Sequence, residues 1–154
     1  MTTRPLIGIT MGDPASIGPE IVAKALSTPE IYALCRPLLI GDGQVIVRAF
    51  ASTGVRLALN PVARPAEGQY VHGTIDLVDL RNVDVATLEW GKVQAQAGRA
   101  SFEYIQRSID LAMAGEIDAV ATSPINKEAL KAAQIDFIGH TEIFGALTGS
   151  PDPL

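Results

Sequence analysis

The sequence predicts an α/β domain built on a mainly parallel sheet, and three observations carry that prediction. Apolar runs with strand character at residues 5–11, 37–40 and 118–122 lack the alternation of a half-exposed strand, as expected of strands covered on both faces. Each run breaks into a short loop of small or polar residues, and a helical pattern follows. The repeated order of strand, loop and helix favours right-handed crossovers, and no low-complexity linker divides the 154 residues. A chain of this length suits one ordinary domain that buries a core without metal or disulfide, or part of something larger.

The first unit spans residues 7–20, Ile-Gly-Ile-Thr-Met-Gly-Asp-Pro-Ala-Ser-Ile-Gly-Pro-Glu. Gly12 and Gly18 bracket a turn where backbone can approach a ligand, and Asp13 between them is a candidate site-lining residue. Pro19 suits the first helical position, and Glu20 places negative charge at the positive end of the helix dipole. The loop matches neither Gly-x-Gly-x-x-Gly nor a Walker pattern, so turning a corner and binding a ligand remain equal readings of it. The helix over 21–26 is interrupted by Ser27, Thr28 and Pro29, and a new start at Pro29 and Glu30 leads towards Cys35. After the strand at 37–40, Gly41-Asp42-Gly43 supplies turn chemistry. Val45, Ile46, Ala49 and Phe50 then repeat at helical spacing until Gly54 stops the helix.

Residues 55–85 are less regular. Strands are expected at 55–59 and 74–79 around a loop carrying Pro61 and Pro65, as an antiparallel edge or a connecting lobe. His72 reads as an exposed or structurally bonded histidine and Trp90 as packing. The longest helical pattern covers 92–114, with Val93, Ala97, Ala100, Tyr104, Ile105, Ser108, Ile109 and Ala112 on one stripe and Gly115 as its cap. Gly98 inside it costs ~1 kcal/mol relative to alanine, so either the helix starts after Lys92 or another backbone passes close by. A strand at 118–122, a polar break at Thr122-Ser123-Pro124 and a helix over 126–133 complete the third unit.

Composition excludes several function classes. Twelve Lys and Arg against 17 Asp and Glu give a formal charge of −5, which argues against a nonspecific nucleic-acid surface. The single cysteine, Cys35, allows neither an intrachain disulfide nor a cysteine zinc cluster, and reads as a buried, inert thiol in a reducing compartment. The N-terminus shows no signal-peptide pattern and no apolar run is long enough to span a bilayer, so a cytoplasmic protein without a membrane partner is expected.

In open parallel sheets, ligands bind beyond the carboxyl ends of the strands, which selects the loops at 12–18, 41–43 and 122–127. In the last of these, Asn126 offers a directional amide and Lys127 a positive charge, although a solvated helix start explains both as well. Gly139-His140-Thr141-Glu142 precedes the apolar helical pattern of Ile143, Phe144 and Leu147. His140 and Thr141 would sit beside free helix-terminal N–H groups, suited to a phosphorylated or hydroxylated substrate. Alternatively, Thr141 only caps the helix and His140 bonds locally. No second histidine or cysteine lies at metal-ligand spacing, so no complete metal site can be assembled from these residues.

Four stretches then bring a family into view: Ile-Thr-Met-Gly-Asp-Pro-Ala-Ser-Ile-Gly-Pro-Glu at 9–20, Lys-Val-Gln-Ala-Gln-Ala-Gly at 92–98, Ser-Pro-Ile-Asn-Lys-Glu-Ala-Leu at 123–130, and Gly-His-Thr-Glu at 139–142. Together they resemble the 4-hydroxythreonine-4-phosphate dehydrogenase family of vitamin B6 synthesis, over essentially the whole chain. Ser16 stands where that family usually has glycine, and the stretch at 92–98 looks more like the branch acting on D-threonate or D-erythronate 4-phosphate. The resemblance implies a three-layer α/β/α fold related to isocitrate and isopropylmalate dehydrogenases, with two domains. It also implies a homodimer with its sites at the subunit interface, NAD as oxidant and a divalent metal cation. The expected reaction oxidises a 4-phosphorylated hydroxy acid, with loss of carbon dioxide. The family's His-Thr pair contacts the substrate, which maps onto His140 and Thr141. Its metal-binding histidines and most of its cofactor site are expected outside residues 1–154, which would make this chain the N-terminal portion, inactive alone. A non-catalytic binding or assembly fragment is the competing expectation.

Overall fold

The computed structural model describes residues 4–150; the extreme N-terminus read above for a signal pattern, and residues 151–154, lie outside them. Five parallel strands form one sheet: β1 (Leu6–Thr10), β2 (Arg36–Gly41), β3 (Ala58–Pro61), β4 (Thr74–Asp79) and β5 (Ala119–Thr122), in the spatial order β3-β4-β2-β1-β5. The register places Thr10 level with Ile40 on one side and Thr122 on the other, so the loops after β1, β2 and β5 leave the same edge. Leu38, Leu39, Ile40, Ile75 and Leu77 are fully buried, as their continuous apolar runs predict for central parallel strands.

Helices α1 (Gly18–Leu26), α2 (Pro29–Leu34) and α3 (Gly43–Thr53) belong to the crossovers that carry the chain outward from β1 through β2 to β3, and α1 packs on α3. The long α4 (Ala95–Met113) carries the chain back from β4 to β5 and packs across β1, β2 and β5. Right-handed crossovers running in opposite directions put these two groups on opposite faces. The result is the expected three-layer α/β/α arrangement. Helices α5 (Lys127–Ala132) and α6 (His140–Thr148) pack on α4 through a second apolar cluster of Ile105, Ile109, Leu130 and Ile143.

Four sequence expectations change. The segment 55–85 is neither antiparallel nor a lobe, because β3 pairs parallel with β4. Twelve residues, 62–73, with one 3-10 turn at Pro65–Glu67, suffice for the crossover without an α-helix. The edge strand also starts three residues later than expected and ends on Pro61, where an edge position tolerates the missing N–H. The helix expected from Lys92 begins at Ala95, and another backbone does pass Gly98: a β-carbon there would overlap the Ala129 carbonyl. Cys35 is part-exposed rather than buried, its thiol donating to the Ile31 carbonyl at 3.4 Å.

Candidate functional site

The loops after β1 and β5 interlock. Gly12 has a φ of 77°, a conformation glycine adopts without penalty, and a β-carbon there would run into the Pro124 carbonyl. Asp13 N–H donates to that same carbonyl at 3.0 Å, and Ser123 N–H donates to Thr10 Oγ1 at 3.4 Å. Asp13 itself turns inward, with Oδ1 accepting from Ala15 N–H at 2.7 Å. Burial pushes its carboxyl above the ordinary aspartate range, and the bond from Ala15 works against that shift. The first loop is thus packed against its own chain, and its glycines are spent on that packing.

Downstream of Pro124, Asn126 accepts with Oδ1 from Glu128 N–H at 2.9 Å and Ala129 N–H at 3.2 Å. Its side-chain oxygen is therefore committed to the start of α5, where Asn is a favoured cap. Lys127 follows on the exposed side. With His140, Thr141 and Glu142 it lines a cavity of about 220 Å³ that also includes Ile138 and Gly139. The structure thus gathers three of the five sequence-derived candidates, Lys127, His140 and Thr141, around one space. Asn126 stands beside it as a cap, and Asp13 lies behind Pro124.

Helix α6 begins without a side-chain cap. Gly139 occupies the capping position, so Thr141 is not the cap, and its exposed hydroxyl has no local duty there. Glu142 reaches back to accept from Ile138 N–H at 2.8 Å, which fixes the entry to the helix. The His140 ring is half-buried, and its Nε2 is enclosed without a hydrogen-bond partner. Burial holds its pKa below the ordinary histidine value, with the Ser123 backbone opposing. At neutral pH the ring is therefore uncharged, with one nitrogen uncommitted.

The loop at 41–43 serves a different place. Asp42 caps α3 through Gln44 and Val45 N–H, and its second oxygen accepts from Val83 N–H at 3.2 Å. A groove of about 700 Å³ beside it is lined by Gly43, Gln44, Arg48, Asp79 and Arg81 among others. Its charged groups are already engaged: Arg81 pairs with Asp79 at 3.2 Å, and Arg48 stacks on Trp90 at 4.7 Å while donating to the Leu88 carbonyl. His72, in turn, lies at 3.0 Å from the Ser27 carbonyl, as a structurally bonded histidine.

Sequence reading missed Thr10 and Ser123, which tie the two loops together. Neither belongs to a charged or metal-ligand pattern, and only their apposition across β1 and β5 marks them. Among the described residues, no group of three or more His, Cys, Asp or Glu could hold a metal ion. The glycines of the Gly12–Gly18 turn pack instead against the Pro124 carbonyl and the Met11 backbone.

Comparisons with known proteins bear on this arrangement. The family model described as "Pyridoxal phosphate biosynthetic protein PdxA" matches residues 33–154. A protein of Symbiobacterium thermophilum named "Putative D-threonate 4-phosphate dehydrogenase" is 76% identical over all 154 residues, and one of the same name from Clostridium botulinum is 50% identical. The chain spans 46% of the length of each. The crystal structure of a 4-hydroxythreonine-4-phosphate dehydrogenase from Burkholderia phymatum superposes with a TM-score of 0.92 at 43% identity, covering 96% of this chain and 44% of that one. The corresponding Klebsiella pneumoniae enzyme gives 0.89 at 39% identity, over 95% of this chain and 44% of its own.

Proposed function

The chain belongs to the PdxA family, and from that premise we propose that it is the N-terminal portion of a two-domain dehydrogenase that oxidises a 4-phosphorylated hydroxy acid. The substrate named first is D-threonate 4-phosphate, supported by the 76% identity to a relative carrying that name. The reaction class is oxidation of the secondary alcohol with NAD and a divalent metal, then loss of carbon dioxide from the resulting β-keto acid. Among the described residues no group of three or more His, Cys, Asp or Glu could hold a metal ion, so the metal ligands, with most of the NAD site, are assigned to the rest of a homodimeric, cytoplasmic enzyme.

One observation carries the part assigned to this chain: Lys127, His140 and Thr141 surround a single cavity at the loop edge of the sheet. Lys127 supplies the cation that a phosphate or carboxylate needs, and Thr141 a hydroxyl free to donate or accept. His140 borders the same cavity with an uncharged ring whose Nε2 is enclosed and without a partner; bonding a substrate oxygen through it, as donor or acceptor according to the tautomer, requires the ring to turn. Their role is to bind and orient the substrate.

4-Hydroxythreonine-4-phosphate is the second reading, supported by the likeness to the solved enzymes of that name. It would place the protein in pyridoxal phosphate synthesis. The two substrates separate in one assay: the complete protein, supplied with NAD and divalent metal, should reduce NAD with D-threonate 4-phosphate at a higher kcat/KM than with 4-phosphohydroxy-L-threonine. The reverse order selects the second reading. Binding of either compound without NAD reduction by the complete protein contradicts the dehydrogenase and leaves a binding module.

A further inference from the structure

Strands β2 and β4 are neighbours in the sheet, yet the helices that follow them, α3 and α4, lie on its opposite faces. The chain therefore leaves their carboxyl ends in opposite directions, and in open parallel sheets such a divergence opens the crevice where ligands bind. Strands β1 and β5 form the other pair of this kind, with α5 packed on α4, and the loop after β5 leads to the cavity of Lys127 and His140. The β2–β4 pair has no part in that reading. We propose that the groove of about 700 Å³ beside it is a second small-molecule site, for a flat apolar molecule bearing one anionic group. The groove shares no lining residue with the cavity around His140.

Its lining has the two parts such a ligand needs. Val47 and Ala51 on α3, Leu59 on β3 and Val85 form an apolar wall. Val47 stays 52% exposed on a helix that buries Val45, Ile46 and Ala49 completely. The charged rim sets two guanidiniums, Arg48 and Arg81, against one carboxylate, Asp79, which leaves one net positive charge in a chain of formal charge −5. Asp79 is fixed in place: its Oδ1 accepts from Gly43 N–H at 2.9 Å and its Oδ2 from Arg81 Nε at 3.2 Å. Arg81 reaches it from a left-handed backbone with φ 49°, a conformation that costs a non-glycine residue energy and persists where the surroundings dictate it. Arg48 lies over Trp90 and donates from Nη1 to the Leu88 carbonyl. Among the described residues each guanidinium thus spends one of its five N–H groups, and both keep donors for a ligand oxygen. A cavity of this size, with an apolar wall and a few converging polar groups, has the usual make-up of a small-molecule site.

The dye 1-anilinonaphthalene-8-sulfonate has this chemistry and fluoresces in apolar surroundings. Titrated into the complete protein with NAD at saturation, so that the dinucleotide site is filled, it should give a saturable rise in fluorescence. Val47→Glu puts a like charge on the wall, and Arg81→Gln removes a cation from the rim. Both side chains are exposed, Arg81 to 76%, so both variants should keep cooperative melts. Each should raise the Kd of the dye about three- to tenfold. N-phenyl-1-naphthylamine, the same rings without the sulfonate, should bind more weakly and respond less to Arg81→Gln. No saturable rise, or an unchanged Kd of the dye in both variants, overturns the site. Equal affinity for the neutral analogue overturns its preference for an anion.

Discussion

Gly98 and Ala129 bring two helix backbones together so closely that a β-carbon on Gly98 would overlap the Ala129 carbonyl. Helix propensity alone makes Gly98→Ala stabilising by ~1 kcal/mol. Overpacking against backbone has the opposite sign and costs about 1–3 kcal/mol or more, because neither helix can yield without disturbing the cluster of Ile105, Ile109 and Leu130. Gly98→Ala should thus lower the melting temperature. A neutral or raised value would mean that α4 and α5 pack more loosely than described.

Asn126→Ala should cost ~1 kcal/mol of stability through loss of the α5 cap, whereas Asn126→Asp should retain most of it. Chemical denaturation of the three proteins checks this. Equal stability of all three would return the Asn126 amide to the list of groups free for a ligand.

The Gly98 result shows what the sequence makes legible. A glycine in the middle of an alanine-rich helical stripe raises the question of a close neighbour, and the neighbour exists. The same holds for Gly12, Pro19 and Gly54, whose local chemistry decides turn, helix start and helix stop. Strand β3 was less legible because Val55, Leu57 and Leu59 alternate in a way that suits either direction of pairing, and direction depends on which strand lies beside them. At the site, Lys127, His140 and Thr141 stood out by residue type, whereas Thr10 and Ser123 did not. Their bond spans 113 positions and exists only once the sheet has formed.

Thr141 on α6 and Lys127 on α5 should both contribute to substrate affinity. Thr141 is exposed and does not cap, so Thr141→Ala should shift stability by less than about 0.5 kcal/mol while weakening substrate binding. Lys127→Ala should lower affinity for the phosphorylated substrate roughly tenfold. Calorimetric titration of the complete protein together with thermal melts measures both. A Thr141→Ala protein with ~1 kcal/mol less stability and unchanged affinity would restore the capping role.

Protonation of His140 should destabilise the fold. Its pKa is lowered in the folded state, so the unfolded chain binds the proton more tightly. Stability is therefore retained above the ordinary histidine value near 6.5 and falls as pH drops from there towards the lowered folded value. Urea midpoints measured between about pH 7 and pH 5 should decline less steeply in His140→Gln than in the parent. Equal slopes would mean that burial of the ring does not hold it neutral.

The central claim is that this chain contributes a substrate-binding imidazole at position 140, and the kcat/KM of His140→Ala in the complete protein tests it most directly. Removing a polar contact to a charged substrate, worth about 1.5–3 kcal/mol, should lower kcat/KM roughly ten- to a hundredfold, with unchanged metal content and a cooperative melt. An unchanged kcat/KM would contradict the assignment, and loss of metal would make His140 a ligand rather than a substrate contact.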